Sequence, residues 1–364
     1  MKQINLFNEN FSISNAPELT FSDVTSKHLE TNKKYKVLSL FCGCGGMDLG
    51  FIGNFNFLNK YYEENPFEII YANDIKKQAC DTYSYNFKHD AVCQDIKEIK
   101  LESLPNNVDI VIGGFPCQDF SLAGKRLGLS AERGRLYLEM KKIIDYCNPL
   151  AFVAENVDGI RKSVQGCDTS ALDTILKDFE ASGYYTYYQP LNASNYGVPQ
   201  NRVRVIIFGI RKDICKKVIY PLPLYGEEKQ FKLVTAKEAI DDLWDCIDTT
   251  EIPNHTNKDY SKAKFYLGKK TQGNCRISAD RPAPTIRSEH HGNIEGHYRT
   301  NNLTDETDVN SWRRLSVREC ARLQSFPDNF VFPCASSEAY KQIGNAVPPV
   351  FAWHIARALY ESLN

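Results

Sequence analysis

A cysteine that follows an apolar run is the residue best placed for chemistry in this sequence. Cys117 lies in the segment 113–121, directly after the run 108–112. The run is typical of a buried strand, the glycine pair ends it, and Pro116 fixes the backbone just before the thiol. Open α/β folds carry their chemistry at this carboxyl edge of the sheet. The segment alone is also compatible with an inert, packed cysteine, so both interpretations stay open.

A glycine-rich turn after the first predicted strand suits a bound nucleoside. Gly43, Gly45 and Gly46 let the backbone turn tightly and approach a ligand closely. Asp48 stands where a dinucleotide fingerprint needs its third glycine, and no Gly-Lys-Ser/Thr sequence occurs in this turn. The pattern therefore disfavours a pyrophosphate or triphosphate cradle.

Two carboxylates could complete the nucleoside pocket. Asp74 follows the second predicted strand, where acidic residues accept ribose hydroxyls. Asp95 lies further along and could meet an adenine amino group. Each of them, taken alone, is equally compatible with a helix N-cap.

Five segments in order resemble the motif series of the DNA (cytosine-5) methyltransferases. They include Pro-Cys-Gln, Glu-Asn-Val and Gln-x-Arg-x-Arg, and they occupy residues 41–50, 113–121, 154–157, 200–204 and 344–349. The resemblance runs from about Lys34 to the C-terminus. It implies an S-adenosylmethionine-dependent α/β fold that is Rossmann-like, with a mostly parallel sheet, helices on both faces and a smaller, loop-rich target-recognition domain.

The resemblance also implies a covalent mechanism. Cytosine C5 becomes nucleophilic only after a soft nucleophile adds to C6, and Cys117 is the thiol placed for that attack. Glu155 would supply the proton needed at N3, Arg204 would hold the cytosine O2, and Arg202 would support Glu155. Because these atoms are inaccessible in a stacked duplex, the target base must be flipped out.

S-adenosylmethionine, released as S-adenosylhomocysteine, is the cofactor that the resemblance implies. Phe41 would pack on the adenine and Asn345 would close the pocket. Asp74 stands where the family often has Glu, a mild departure because both carboxylates can accept two hydroxyls. The residues assigned to the cofactor are Phe41, Gly43, Cys44, Gly45, Gly46, Asp74, Ile75, Asp95, Ile96, Pro116, Leu136, Asn345 and Ala346.

Double-stranded DNA is the implied substrate. The loop 121–134 combines glycines with basic residues, which suits a lid over DNA as well as a plain surface loop. Residues 271–287 resemble the recognition core of small, single-target members, where Arg276 and Arg287 could make bidentate contacts to guanine. The residues assigned to DNA are Gln118, Ser121, Lys125, Arg126, Arg276, Thr285, Ile286 and Arg287.

Composition agrees with an intracellular nucleic-acid enzyme. The net charge is −1, yet residues 255–300 contain nine Lys and Arg against four Asp and Glu, which suits phosphate contacts or a solvated basic face. Twelve scattered cysteines without Cys-x2-Cys pairs predict free thiols and no metal site. No signal peptide or membrane-length apolar stretch is visible. We expect a cytoplasmic, DNA-associated monomer, encoded by a prokaryote or a phage, with no membrane partner.

The order of elements predicts a discontinuous large domain. Residues 1–33 form an extension with the polar composition of a mobile segment. The catalytic and cofactor domain covers 34–214 and is completed by 340–364, while the recognition domain covers 215–339, with its core at about 269–300. A capping box, Ser316 to Glu319, starts one helix, and 350–363 forms the last. Strands are predicted at 36–41, 68–72, 108–112, 151–154 and 204–208.

The function predicted from these features is DNA cytosine-5 methylation in a restriction–modification system, with the restriction endonuclease as a functional rather than physical partner. A binding module without catalysis is one alternative, and a nicotinamide oxidoreductase is disfavoured by Asp48. Amino-group methyltransferases carry a Pro-Pro-aromatic motif, but the one Pro-Pro pair, at 348–349, precedes valine. An RNA-directed relative stays open because its chemistry would be identical.

Overall fold

A seven-stranded β-sheet forms the centre of the computed structural model, which describes residues 16–26, 29, 33–116, 136–162, 169–214, 216–265, 275–288, 296–300 and 309–364. The described strands are β1 (Leu19–Ser22), β2 (Tyr35–Leu40), β3 (Phe55–Phe57), β4 (Lys60–Tyr62), β5 (Phe67–Asp74), β6 (Val92–Cys93), β7 (Ile110–Gly113), β8 (Ala151–Val157), β9 (Tyr184–Asn192), β10 (Val203–Arg211), β11 (Val218–Pro221), β12 (Cys275–Arg276), β13 (His297–Arg299) and β14 (Arg313–Arg314). The described α-helices are α1 (Gly46–Ile52), α2 (Lys77–Asn86), α3 (Leu136–Cys147), α4 (Ala171–Ala181), α5 (Ala236–Ile240), α6 (Val317–Leu323), α7 (Ser336–Asn345) and α8 (Pro349–Leu363).

The central sheet has the strand order β6-β5-β2-β7-β8-β10-β9. Its strands run parallel except for β10, which is antiparallel to both of its neighbours. β7 and β8 are buried along almost their whole length, as expected for strands covered on both faces. The mostly parallel α/β architecture predicted from the sequence is therefore confirmed.

Apolar side chains form a core on each face of the sheet. One core contains Phe51 of α1 and Phe351 of α8, and the other contains Met140 of α3 and Phe179 of α4. Alternate residues along β7 and β8 enter the two cores, which is the two-residue period of a strand. α8 lies so close to α1 that a Cβ on Gly50 would be 2.4 Å from the Cβ of Ala352.

Part of the N-terminal region is packed, contrary to the expectation for residues 1–33. β1 pairs in parallel with β11, and Val24 is buried in the core that contains α8. The Nε of Arg357 donates a hydrogen bond to the Val24 carbonyl over 2.6 Å. Residues 16–26 therefore belong to the packed body of the protein, and sequence polarity hid this because β1 lies at its surface.

A third core joins α5, α6 and α7. The predicted capping box is confirmed: the Ser316 hydroxyl accepts from the Glu319 amide, and the Glu319 carboxylate accepts from the Ser316 amide over 2.7 Å. Glu319 also pairs with Arg299 and Arg313 at 2.6 and 2.7 Å. Burial alone would raise the pKa of Glu319, but these two guanidinium groups lower it to about 2. The domain limits at 215 and 340 stay a prediction, and Tyr340 of α7 packs in this third core.

The described residues include neither a membrane-spanning helix nor a metal-binding cluster. No helix in the described part of the chain is long and apolar enough to cross a membrane. Among the same residues, no cluster of three or more His, Cys, Asp or Glu side chains could hold a metal ion.

Candidate active site

The end of β8 brings a carboxylate and a guanidinium together. β8 pairs with β10, and the Nε of Arg204 lies 2.8 Å from the Oε1 of Glu155. Their side chains are only 13% and 11% exposed, so solvent screens this ion pair weakly. Burial lowers the pKa of Arg204, and the charge of Glu155 opposes that change. The pair is positioned to recognise a polar, planar group at the carboxyl edge of the sheet.

The segment that leads to Cys117 is tied to the same strand. The Nδ2 of Asn156 donates to the Phe115 carbonyl over 3.0 Å, and its Oδ1 accepts from the Val157 amide. A Cβ on Gly114 would lie 3.0 Å from the Oε2 of Glu155, so glycine permits this close approach. Pro116 is half-buried. Cys117 and the predicted DNA residues Gln118, Ser121, Lys125 and Arg126 lie outside the described residues.

Arg202 connects two backbone segments and does not bond to Glu155. Its guanidinium is buried and donates to the Ile286 carbonyl over 3.1 Å and to the Gly344 carbonyl over 3.0 Å. Burial, followed by the charge of Arg204, lowers the pKa of Arg202 well below its ordinary value. The charge of Glu155 acts on Arg202 in the opposite direction. The two NH2 groups of Arg202 reach backbone acceptors, and the support of Glu155 by Arg202 stays a prediction.

The glycine turn and Asp74 form a second polar site at the neighbouring strand ends. Asp74 accepts from the Gly43 amide over 2.9 Å and from the Lys76 amide over 2.8 Å. Burial raises the pKa of Asp74. Gly43 has a φ of +55° and no atom within 4 Å of the position that a Cβ would take, so its exposed side faces open space. Gly46 faces packed atoms, because a Cβ there would lie 2.4 Å from the Val347 carbonyl oxygen.

The remaining predicted cofactor residues divide by burial. Those with open surface are Phe41 and Asp95 (both half-buried), Ile75 (exposed), Leu136 and Ala346 (both half-buried) and Asn345 (exposed). Asp95 caps a short 3-10 helix by accepting from the Lys97 amide, so the N-cap alternative is correct for at least one of its oxygens. The Ile96 side chain and the Cys44 thiol are buried in the second and third cores, so their side chains serve packing. Gly45, also buried, packs under Phe87.

The predicted recognition residues adjoin the segment that leads into β10. An open depression of about 490 Å³ is lined by Asn201, Arg276, Arg281 and Thr285, among others. The Thr285 hydroxyl donates to the Asn201 carbonyl over 2.6 Å. Arg276 is half-buried and Arg287 exposed, as base contacts would require. Ile286 is fully buried, which corrects its assignment to DNA: its side chain packs the third core.

Sequence reasoning gave no role to two buried glutamines beside this site. The Gln200 side chain accepts from the Ile286 amide over 2.9 Å and donates to the Leu323 carbonyl and to the Oε1 of Gln324. Gln324 in turn donates to the Ala346 carbonyl over 2.6 Å. The place of Gln200 in the Gln-x-Arg-x-Arg segment could have indicated a role for this residue, whereas nothing in the sequence singled out Gln324.

Comparisons with known proteins agree on one family. A family model described as C-5 cytosine-specific DNA methylase matches residues 35–361. The type II methyltransferase M.FnuDI of Fusobacterium nucleatum is 36% identical over 345 residues, spanning 90% of this chain and 95% of that protein. M.BsuRI of Bacillus subtilis is also 36% identical, over 89% and 78% of the two chains. The crystal structure of S. pombe Dnmt2 methyltransferase covers 91% of this chain and 100% of its own with a TM-score of 0.67 at 18% identity, a likeness of fold.

Proposed function

Because the chain belongs to the C-5 cytosine-specific DNA methylase family, and is therefore a DNA (cytosine-5)-methyltransferase of the restriction–modification type, we propose that it methylates a flipped-out cytosine through a covalent adduct with Cys117. Its family implies that DNA is the substrate and S-adenosylmethionine the methyl donor. The observation that carries the proposal is the buried Glu155–Arg204 pair beside the Asn156–Phe115 hydrogen bond, two residues before Cys117.

Cys117 supplies the nucleophile in this proposal. Its thiolate sulfur forms a bond to C6 of cytosine, the C5–C6 π electrons shift to the C4–C5 bond, and the C4–N3 π electrons move onto N3, which accepts a proton; C5 thereby becomes nucleophilic. After methyl transfer, a base removes the C5 proton, the electrons of that C–H bond re-form the C5–C6 double bond, the thiolate leaves, and N3 returns its proton to Glu155. Asn156 holds the Phe115 carbonyl, so it fixes the backbone two residues before Cys117.

Glu155 and Arg204 recognise and activate the cytosine ring. Negative charge builds on the ring as the thiol adds, and a proton from Glu155 at N3 would neutralise it. Arg204 forms an ion pair with Glu155, and its NH1 group donates to the Val203 carbonyl over 2.8 Å. Its other NH2 group can reach the cytosine O2. Removing either partner would leave a mostly buried charge without its counterpart, which is strongly unfavourable.

The described residues fit S-adenosylmethionine at the glycine turn. Gly43 faces open space, where a nucleoside can approach the backbone without meeting a Cβ. Asp74 has one backbone partner on each oxygen, which leaves a lone pair on each for a ribose hydroxyl. Exposed Ile75 and Asn345 lie at the neighbouring strand and helix ends. The bound cofactor supplies an electrophilic methyl group, and these residues orient it.

In this proposal the protein extrudes the target base from the duplex and contacts base edges in a groove. Extrusion costs a few kcal/mol in stacking and pairing. The loop 121–134, which the sequence assigns to DNA contact, lies outside the described residues. Arg276 and Arg287 would read base edges, and Thr285 would contact the backbone. We further propose that the protein acts as a monomer. It protects DNA from a partner endonuclease and does not bind that endonuclease.

Bisulfite sequencing of DNA from cells that express the protein identifies the methylated cytosine and its context. A duplex with 5-fluorocytosine at that position should then form an adduct that survives denaturation. A base can remove a proton from C5 but cannot remove the fluorine that replaces it, so the thiolate is not released. The Cys117→Ser variant should form no adduct and no methylcytosine. Cys246 is a half-buried thiol in the part of the chain after β11, and the Cys246→Ser variant should form both the adduct and methylcytosine. Methylation by Cys117→Ser, or preference for an RNA oligonucleotide of the same sequence, would contradict the proposal.

A further inference from the structure

The two buried glutamines, together with Arg202, connect two parts of the protein that are distant in sequence. Residues 285–287, named here the recognition segment, meet residues 344–346, named the closing segment, through Gln200, Arg202 and Gln324. Ile286 is held at both backbone polar atoms, because its amide donates to Gln200 and its carbonyl accepts from Arg202. The closing segment is held in the same way at Gly344 by Arg202 and at Ala346 by Gln324.

This network lies where water cannot replace a broken bond. Gln200 and Gln324 are fully buried and Arg202 is 1% exposed. A buried donor or acceptor that loses its partner bears the full cost of desolvation, so the bonds are made or lost together. The backbone contact is also tight, since a Cβ on Gly344 would lie 2.2 Å from the Arg287 carbonyl carbon. A shift of the closing segment must therefore move the recognition segment or break several bonds.

We propose that Gln324, with Gln200, is a positioning residue that couples cofactor binding to target recognition. The inference rests on the proposed function, in which Asn345 contacts the cofactor and Arg287 contacts DNA. A cofactor that fixes Asn345 fixes its two neighbours, and the glutamine pair transmits that position to Ile286, next to Arg287. Thermodynamic linkage then requires DNA to tighten cofactor binding by the same factor as the cofactor tightens DNA binding.

The coupling factor is measured by calorimetric titration of S-adenosylhomocysteine into the enzyme alone and into its complex with the duplex found by bisulfite sequencing. We expect a factor of roughly 5–150 for the parent, the usual range for coupled sites. Gln324→Met keeps the volume of the side chain, leaves the bond between Gln200 and Ile286, and removes the bond to Ala346. Its factor should fall at least about threefold below that of the parent without reaching 1, because Arg202 still bonds Ile286 and Gly344. The affinity of the free enzyme should stay within about threefold of the parent. Gln200→Met should lower the coupling factor in the same way, because it removes the bond to the Ile286 amide.

Asn254→Ala is the matched control for lost hydrogen bonds. Asn254 makes two bonds to the Phe332 backbone, at 2.9 and 2.8 Å, outside the network. The Asn254→Ala variant should be less stable than the parent, while its coupling factor should equal that of the parent. A parental factor of one, an unchanged factor in both glutamine variants, or an equal loss in Asn254→Ala would overturn the inference. A parent that binds S-adenosylhomocysteine without methylating DNA would instead overturn the proposed function, and this inference with it.

Discussion

Gly43 offers a test of the cofactor site with an internal control. Gly43 and Gly183 both have left-handed φ angles, +55° and +93°, and both have no atom within 4 Å of the position of a Cβ. Alanine at either position should therefore meet no clash and cost about 1–2 kcal/mol of stability, the penalty of an L-residue in this conformation. Only Gly43 adjoins Asp74, so only its new methyl group enters the space assigned to the nucleoside.

The two alanine variants should differ in cofactor affinity and agree in stability. Gly43→Ala should weaken S-adenosylhomocysteine binding by about tenfold or more, which corresponds to roughly 1.4 kcal/mol, because the new methyl group occupies space assigned to the nucleoside. Gly183→Ala, at the turn between α4 and β9, should bind within about twofold of the parent. Calorimetric titration gives the affinities, and urea unfolding gives the stabilities. Equal affinities in the two variants would refute the placement of the cofactor beside Gly43.

Three further predictions address the reaction, the target and a buried acid. Glu155→Gln should slow single-turnover methylation by ~10²–10⁴-fold if it is the proton donor, and an unchanged rate would assign the proton to another group. Arg276→Ala should lose about 1–3 kcal/mol of binding free energy on the cognate duplex only. Lys269, in the basic stretch 255–300 and outside the described residues, is predicted to contact phosphate, so Lys269→Ala should weaken binding to cognate and scrambled duplexes alike and reduce its salt dependence. Burial raises the pKa of Asp48 from 3.8 to about 6, so the stability that its neutral form contributes is complete below pH 4 and is lost as the pH rises through 6. Asp48→Asn should therefore gain about 3 kcal/mol relative to the parent between pH 4 and pH 8 in urea unfolding, and a pH-independent difference would contradict the burial argument.

The strands that position the site were predictable because they are continuous apolar runs. β5, β8 and β10 each contain a predicted run, and the runs 36–41 and 108–112 overlap β2 and β7 but extend beyond them by one and two residues. Their direction was not predictable in every case, since an apolar strand has the same composition whether it is parallel or antiparallel, and β10 is antiparallel. β9 was missed because it is an edge strand with mostly half-buried, tyrosine-rich residues and a proline.

The site residues were predictable as a set, and their individual contacts were not. Glu155 and Arg204 meet because β8 and β10 are paired, which follows from the topology. Arg202 is only two residues from Arg204, but it lies before the strand, where a two-residue period no longer fixes its direction. Cys44 and Ile286 belong to motifs that suggest ligand contact, yet which side of the chain is buried depends on neighbours distant in sequence.

The contact between α1 and α8 determines when during synthesis the enzyme can become active. α1 ends at Ile52 and α8 begins at Pro349, so about 300 residues separate two helices that share one core. At about 5–20 residues per second, the ribosome needs roughly 15–60 s to make that interval, during which the apolar face of α1 has no partner. A nascent chain therefore cannot complete this core before α8 has left the ribosome. Slower translation lengthens the interval in which the apolar face of α1 is exposed, and with it the time available for aggregation.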